Sequence, residues 1–336
     1  EILSGLVGSE MCIRDSFCDI PACAGCLDPE AVRCCVTTRT TGAIQSPAWR
    51  SKVNSDTGPR YRQVSIGRPA VEVSERQGVL HMRSLEPLAP LPERLLDRLV
   101  HWAEVRGQQT FLAVRGENGE WQHTSYAGML DAVRAIAQRL LGFGLSAERP
   151  LAILSGNGLQ HLQMALGAMY AGIPYCPVSP AYSLLSQDHA KLRHVCDLLQ
   201  PGLLFVDNAA PYQRAIDAVM AADVPVITVR GEVAGRPNID FASLLAEPGG
   251  AEAQAAFAAT GPDTIAKFLF TSGSTKLPKA VVTTQRMLCA NQQMLLQTFP
   301  VFGEEPPVLV DWLPWNHTFG GSHNLGIVLY LSLIHI

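Results

Sequence analysis

The sequence has few charges and no long hydrophobic run. Only 17% of its 336 residues are charged, 47% are hydrophobic, and the formal net charge is −4. Because nucleic-acid-binding surfaces carry clustered positive charge, this balance predicts no nucleic-acid partner. The longest apolar stretch, residues 325–334, is interrupted by Ser332. It is well short of the roughly 20 residues of a membrane span, so we expect no membrane insertion. These features are typical of a soluble protein with a large core.

Cysteine is scarce beyond the start of the chain. Six of the nine cysteines fall in the first 35 residues: Cys12, Cys18, Cys23, Cys26, Cys34 and Cys35. The C-x-x-C pair at 23–26 is one arm of a possible metal site, but no second pair follows at a usual spacing. We therefore favour translated upstream sequence over a metal cluster. Cys176, Cys196 and Cys289 lie in apolar contexts, as in reduced cytosolic cores, and we expect a cytoplasmic protein.

Both ends of the sequence look foreign to the rest. The runs EMCIRDS at 10–16 and SLIHI at 332–336 resemble translated sequencing-adapter sequence. We interpret residues 1–16 and 332–336 as adapter-derived, 17–58 as a doubtful Cys-rich leader, and 59–331 as the domain proper. The start also lacks the charged segment and cleavage site of a signal peptide.

From residue 92 onward the sequence is strongly periodic. Apolar spacing predicts a helix over 92–107, a strand over 110–114, and a second helix from an N-cap at Thr124 to 141. Strands are then predicted over 151–154, 174–178, 203–206 and 224–229, with helices over 159–170, 187–199 and 212–221. Residues 247–261 are expected to form a surface connection or short helix. This alternation predicts an α/β fold whose parallel sheet is covered by helices on both faces.

The most informative stretch is FLFTSGSTKLPKAVVTT, residues 268–284. Two β-branched or apolar runs flank a loop rich in hydroxyl groups, which predicts strand, loop, strand. Gly273 allows close backbone approach and Lys279 adds a positive charge, a combination that suits polyphosphate. A polar hairpin without a ligand is the alternative. The P-loop pattern G-x-x-x-x-G-K-S/T is excluded, because Pro278 and Ala280 occupy two of its fixed positions.

The loop resembles the phosphate-binding signature of AMP-forming acyl-adenylating enzymes, S/T-S-G-S/T-T-G-x-P-K. Eight of nine positions match, and Lys276 replaces the usual Gly. Two further stretches occur in the family's order: YAGIPYCP at 170–177 is similar to A-G-x-x-x-x-P, and DWLPWNHTFGG at 311–321 is similar to L-P-x-x-H-x-x-G. The superfamily includes acyl-CoA synthetases, luciferases and peptide-synthetase adenylation domains.

The resemblance implies a fold and a site. The fold would be the large N-terminal domain of the acyl-adenylating fold, ending before its C-terminal part and without the small C-terminal domain. The catalytic residues would be Lys279 and His317, with His317 at the acyl carboxylate and thiol side. The residues binding the ATP β- and γ-phosphates would be Thr271, Ser272, Gly273, Ser274, Thr275 and Lys279. Mg²⁺ would bridge the phosphates at Thr275, and CoA would be the co-substrate.

Within the superfamily, the sequence of residues 59–330 resembles that of feruloyl-CoA synthases, which activate hydroxycinnamic acids. Trp312 and Trp315 are either aromatic walls for such an acid or plain core residues. Another aryl or fatty-acyl ligase, a non-catalytic nucleotide-binding domain and an inactive fragment remain open. We expect residues 1–336 alone to be poorly soluble and inactive, with an exposed apolar sheet edge at 327–331. The sequence leaves the oligomeric state open.

Overall fold

A seven-stranded sheet organises the fold. The structure is a computed structural model that describes residues 63–67, 70–116, 118–271, 277–305 and 308–331, together with the backbone of 334–335. The described residues from Val64 onward belong to one structural unit. The Cys-rich leader lies outside the described residues.

The strands are short and evenly distributed along the chain. They are β1 Val71–Arg76, β2 Val79–Ser84, β3 Thr110–Arg115, β4 Trp121–Ser125, β5 Leu151–Ile153, β6 Tyr175–Pro177, β7 Leu203–Val206, β8 Val226–Thr228, β9 Asn238–Asp240, β10 Ile265–Thr271, β11 Lys279–Thr284, β12 Val308–Leu309 and β13 Ile334–His335. The large sheet has the order β11-β10-β6-β5-β7-β8-β9. Only the β10–β11 pair is antiparallel, and the other five pairs are parallel.

Helices alternate with the strands along much of the chain. They are α1 Leu96–Arg106, α2 Tyr126–Leu140, α3 Leu159–Tyr170, α4 Pro180–Leu184, α5 Ala190–Leu199, α6 Ala209–Val219, α7 Ala251–Ala259, α8 Gln285–Thr298, α9 Val301–Glu304 and α10 Leu325–Leu331. Short 3-10 helices cover Leu141–Phe143 and Phe241–Leu245, and a π-helix covers Phe319–Asn324.

The core lies on both faces of the large sheet. Leu151 and Ile153 of β5 pack with α1, α2 and α3 on one face, whereas Ala152 packs with α5 and α6 on the other. Side chains alternate along a strand, so a strand covered on both faces is apolar at every position. The expected α/β fold with a sheet covered on both sides is therefore confirmed.

Several predicted boundaries need correction. Ser125, not Thr124, is the N-cap of α2, and its Oγ accepts a hydrogen bond from the backbone N–H of Gly128 at 3.1 Å. Thr124 instead belongs to β4 and pairs with Leu112 of β3. The sequence interpretation missed β4 because its residues are largely exposed and polar. Helix α5 also begins late, after His189 in a left-handed backbone conformation at φ 51°.

A second sheet and a hairpin complete the described fold. The four-stranded sheet has the order β12-β13-β3-β4, and within the described residues β1 and β2 form a separate two-stranded sheet. Strand β12 of the four-stranded sheet has only two residues. The stretch 247–261, for which a short helix was one possibility, contains α7.

The expected exposed apolar edge at 327–331 is wrong. These residues lie in α10, in which all seven residues are buried. Two side chains of α1 bind its last carbonyls: Arg98 donates to Tyr330 and Trp102 donates to Leu329, both at 3.0 Å. A short fully apolar run has the same pattern in a buried helix and a buried strand, which explains the error. No helix in the described ranges has the length and apolarity to cross a membrane.

Candidate functional site

Two of the predicted phosphate-binding residues face each other across the β10–β11 hairpin. Thr271 ends β10 and Lys279 begins β11, and the two are paired residues in the antiparallel register. Both side chains are exposed. Ser272, Gly273, Ser274 and Thr275, together with Lys276, lie outside the described residues. The described geometry therefore consists of a hydroxyl and an ammonium group at the mouth of the loop, and both fit a phosphate oxygen chemically.

The arm of the loop next to Lys279 is held by a side chain from another element. Pro278 is buried, and its carbonyl oxygen lies 2.9 Å from Nε2 of His194 on α5. This contact requires the imidazole N–H to be on Nε2, because a carbonyl only accepts. An open groove of about 690 Å³ borders the arm and is lined by Phe268, His194 and Lys279. The arm is therefore anchored to α5 beside this groove.

His317 lies on a tightly wound segment that follows β12. Its backbone N–H donates to the carbonyl of Pro314 at 3.1 Å, and its own carbonyl accepts from Gly321 at 2.8 Å. The side chain of His317 is exposed. Asp311 closes the segment, because its Oδ1 accepts from the backbone N–H of Leu313 at 3.0 Å and from Nδ2 of Asn324 at 2.9 Å. The imidazole is thus exposed to solvent, and hydrogen bonds hold the backbone that carries it.

Asn157 holds the same segment from the loop between β5 and α3. Its Nδ2 donates to the carbonyl of Leu313 at 2.8 Å, and its Oδ1 accepts from the backbone N–H of Trp315 at 2.9 Å. These two bonds flank Pro314, whose carbonyl accepts from His317. This loop lies at the carboxyl edge of the parallel strands, which is where ligands bind in open α/β sheets. Sequence reasoning missed Asn157, although a polar residue in the short loop after a buried strand was the available signal.

The two tryptophans of the segment have different environments. Trp315 is 4% exposed, and its ring meets the ring of His161 edge to face at 5.3 Å. Trp312 is 82% exposed. Of the two interpretations, core packing therefore describes Trp315, whereas Trp312 is available to a ligand.

His161, the partner of Trp315, is a neutral core histidine. Its Nδ1 lies 3.0 Å from both Ser155 Oγ and the carbonyl oxygen of Gly156. Burial lowers the pKa of His161 to about 4, since desolvation disfavours the charged imidazolium. The ring therefore carries no charge at neutral pH and supports Trp315 by packing.

Lys267 is a buried lysine beneath the site that sequence reasoning left without a role. It lies on β10 and is 1% exposed, and its Nζ donates to the carbonyl oxygen of Gly321 at 2.5 Å. Burial lowers its pKa to about 7. The available signal was its position as the single charge in an otherwise apolar strand. Because strand side chains alternate, Lys267 and Thr271 lie on the same side of β10.

Gln292 of α8 binds the next carbonyl of the π-helix. Its Nε2 donates to the carbonyl oxygen of Ser322 at 3.0 Å, and both side chains are buried.

The π-helix also has a pair of aromatic rings. The ring of Phe319 stacks on that of His323 at 4.5 Å, with an interplanar angle of 13°. Phe319 is 58% exposed. A flat aromatic surface therefore lies two residues beyond His317.

The structure connects the two parts of the candidate site. Lys267 lies four residues before Thr271, and Gly321 lies four residues after His317. At about 3.3 Å per residue, Lys267 and Thr271 are about 13 Å apart along the strand. Since Lys267 contacts Gly321, the strand that enters the hydroxyl-rich loop and the segment that carries His317 share one polar contact. The predicted site elements are brought to the same side of the sheet.

Comparison with solved structures identifies the fold. The chain superposes on a fatty acyl-adenylate ligase from Legionella pneumophila, solved with acyl adenylate and pyrophosphate, with a TM-score of 0.55 and 20% identity. The match covers 72% of this chain and 39% of that one. The fold is thus that of adenylate-forming enzymes.

Sequence comparison identifies the family. Residues 99–333 match the model of the AMP-binding enzyme family, and the chain belongs to this family. It is similar to the sulfoacetate–CoA ligase of Cupriavidus necator, with 31% identity over 44% of this chain and 27% of the relative. It is also similar to the luciferin 4-monooxygenase of Photinus pyralis, with 23% identity over 61% of this chain and 38% of the relative. The chain therefore spans less than half the length of these relatives.

Proposed function

We propose that the protein containing this chain activates a carboxylic acid with ATP and then transfers the acyl group to CoA. In the first step a carboxylate oxygen attacks the α-phosphorus of ATP, and pyrophosphate leaves. In the second step the thiol of CoA attacks the acyl carbon, and AMP leaves. The observation that carries the proposal is the β10–β11 hairpin, with Thr271 and Lys279 paired at the mouth of its hydroxyl-rich loop.

The loop has the role of holding the polyphosphate. A phosphoryl transfer requires positioning and charge neutralisation more than covalent chemistry from the protein. Lys279 supplies a positive charge at the loop mouth, and Thr271 supplies a hydroxyl donor opposite it. Ser272, Gly273, Ser274 and Thr275 contribute further donors in this proposal. Mg²⁺, held at Thr275, would neutralise phosphate charge.

His317 has the role of contacting the acyl group. Its exposed imidazole follows a turn that Asn157 holds through Leu313 and Trp315. Thr271, at the end of β10, lies on the same side of the sheet. An acid bound beside His317 would place its carboxylate toward the phosphates at the loop. A ligase of the same fold was solved with acyl adenylate and pyrophosphate, the products of such a first step, which supports the proposed chemistry.

We propose a hydroxycinnamic acid, such as ferulate, as the substrate class. An aromatic acid needs flat apolar surface, and the exposed ring of Phe319, stacked on His323, offers it close to His317. The exposed indole of Trp312 offers a second aromatic surface on the same segment. Offset stacking between aromatic rings contributes roughly 0.5–1.5 kcal/mol beyond burial, enough to favour an aromatic over an aliphatic acid of similar size.

The test is acid-dependent exchange of pyrophosphate into ATP by the intact protein, meaning the complete product of the gene that contains this sequence. Ferulate, p-coumarate, caffeate, benzoate and octanoate are compared at equal concentrations. We expect exchange to be fastest with the hydroxycinnamates. A preference for octanoate contradicts the aromatic substrate and leaves adenylation intact.

A second assay separates ligase activity from nucleotide binding. A non-catalytic nucleotide-binding protein would bind ATP in calorimetry but release no pyrophosphate with any acid. Product analysis with CoA present then distinguishes acyl-CoA formation from adenylation alone. The variant Trp312→Leu tests the aromatic wall, and we expect it to raise KM for ferulate while leaving KM for ATP unchanged.

A further inference from the structure

Lys267 lies at a buried position, where a lysine destabilises the fold because its charge is removed from water. It is 1% exposed on β10, which has a neighbouring strand on each side, and its pKa falls to about 7 because burial disfavours the ammonium form. Buried lysines are rare unless they are paired, and no acidic side chain within the described residues forms an ion pair with this one. A methionine of similar length would fill the same space at lower cost. The position of the amine therefore calls for a reason beyond stability.

The contact made by the amine supplies that reason. Its Nζ donates to the carbonyl oxygen of Gly321, within the π-helix Phe319–Asn324. The backbone N–H of the same residue donates to the carbonyl of His317 at 2.8 Å. Single π-helical turns leave the regular hydrogen-bond ladder and often occur at functional sites. Gly321 is therefore bonded on one side to the amine of Lys267 and on the other to the backbone of His317.

We propose that Lys267 is a positioning residue that fixes His317 relative to the strand entering the phosphate loop. This inference rests on the proposed function, because it assigns Lys267 a role in placing the acyl group against the phosphates. The side chain spans from β10 to the π-helix and so joins the two elements that hold the two substrates. Without this bond the carbonyl of Gly321 loses its donor, and the His317 turn is free to shift relative to Thr271. A shift of about 1 Å between reacting groups can lower a rate by about a hundredfold.

The closing experiment compares Lys267→Met with the parent protein by two independent measurements. The first is hydrogen–deuterium exchange of the backbone in residues 313–324 of the intact protein, which requires no activity. We expect faster exchange in this segment and unchanged exchange in α3 and β7. Leu140→Ala, which opens a cavity in α2 of the same core, is the matched control and should leave residues 313–324 protected.

The second measurement is a double-mutant cycle on pyrophosphate exchange by the intact protein. We expect Lys267→Met to lower kcat for acid-dependent exchange by about tenfold or more, with KM for ATP within about twofold, because a misplaced acyl group impairs the step rather than nucleotide binding. In a His317→Ala background the same substitution should cost less than about twofold, since a residue that acts through His317 has no further effect once the imidazole is gone.

The outcomes separate the two proposals. Equal losses from Lys267→Met in both backgrounds overturn the positioning role, as does unchanged exchange of residues 313–324. No acid-dependent exchange in the parent overturns the proposed function, and the deuterium measurement then still decides whether Lys267 holds the segment. Where the methionine variant does not fold, Lys267→Gln, which retains an N–H donor on a shorter side chain, replaces it. Partial recovery of protection in 313–324 relative to Lys267→Ala is then expected, and equal protection in the two variants contradicts the inference.

Discussion

The backbone of Gly321 lies directly against the carbonyl oxygen of Trp315, so closely that a β-carbon at position 321 would overlap that oxygen. Its neighbour Gly320 is similarly constrained, since a β-carbon there would lie 2.5 Å from the carbonyl of Pro314. Neither contact involves a flexible side chain that could move aside. The glycine pair therefore lets the π-helix fold back onto the turn that precedes His317.

Gly321→Ala is expected to displace this turn. Overpacking against a fixed backbone typically costs about 1–3 kcal/mol. We expect a loss of unfolding free energy in this range in urea titrations. Gly142→Ala is the control, because position 142 is exposed and no atom lies within 4 Å of a β-carbon there. If both variants unfold at the same urea concentration, the close packing of Gly321 on Trp315 does not exist in solution.

Asn157 provides a test of the turn from the opposite side. Asn157→Asp retains the acceptor for the N–H of Trp315 but removes the donor to the carbonyl of Leu313. Each lost bond should cost about 1 kcal/mol of stability. We expect exchange of pyrophosphate to fall, more in Asn157→Ala than in Asn157→Asp.

The control for Asn157 is Asn208→Ala. Asn208 follows β7 as Asn157 follows β5, and its side chain makes no capping bond to α6. We expect this variant to retain parental exchange. A loss as large as that of Asn157→Ala would mean that general loosening of this sheet edge, rather than the hold on Leu313 and Trp315, explains the effect.

Lys279→Ala tests the positive charge at the loop mouth. Loss of one preorganised group that stabilises transition-state charge costs about 10²–10³ in kcat. We expect acid-dependent exchange to fall by this factor, with a thermal midpoint near that of the parent because the side chain is exposed. Lys191→Ala, an exposed lysine of α5, should have no effect. Parental exchange by Lys279→Ala would remove this lysine from the site.

Lys276 is the departure from the family signature. Restoring the usual residue with Lys276→Gly is expected to maintain or increase exchange by the intact protein. A large loss would show that Lys276 has a role that the resemblance does not supply. The variant is measured beside Lys279→Ala, which separates an effect of charge near the phosphates from one of loop conformation.

The sequence was a good guide where a pattern is local. Strand β7 and helix α3 coincide with the ranges predicted from their apolar runs, since burial on both faces or on one stripe leaves a direct trace. Exposed β4 left none. The sheet edge expected at 327–331 is instead part of helix α10, because a short apolar run does not distinguish a buried helix from a buried strand.

The candidate site was predictable only in part, for a related reason. Thr271, Lys279 and His317 occur in motifs, so their positions along the chain were enough to single them out. Asn157 and Lys267 act through contacts with residues more than fifty positions away, Leu313 and Gly321 respectively. Such contacts depend on the register of β5 and β10 in the sheet, which no short motif encodes. Lys267 nevertheless leaves a thermodynamic trace that can be measured directly.

The stability of the protein is expected to depend on pH through Lys267. The pKa of this lysine is about 7 in the folded protein, against an ordinary value of 10.5. Between these two values the unfolded chain retains a proton that the folded chain has released. The unfolding free energy therefore rises with pH across this window through this group, and it is independent of the group below pH 7. Two neighbours do not titrate there: burial lowers the pKa of His161 on α3 to about 4, and burial raises the pKa of Tyr175 on β6 above its ordinary value.

Urea titrations of the parent and of Lys267→Met at pH 6.5, 7.5, 8.5 and 9.5 measure the effect as the difference between the two proteins. We expect the parent to gain stability relative to the variant as pH increases. A difference between parent and Lys267→Met that stays flat from pH 6.5 to 9.5 would mean that the amine of Lys267 is solvated, and the buried contact with Gly321 would then be wrong.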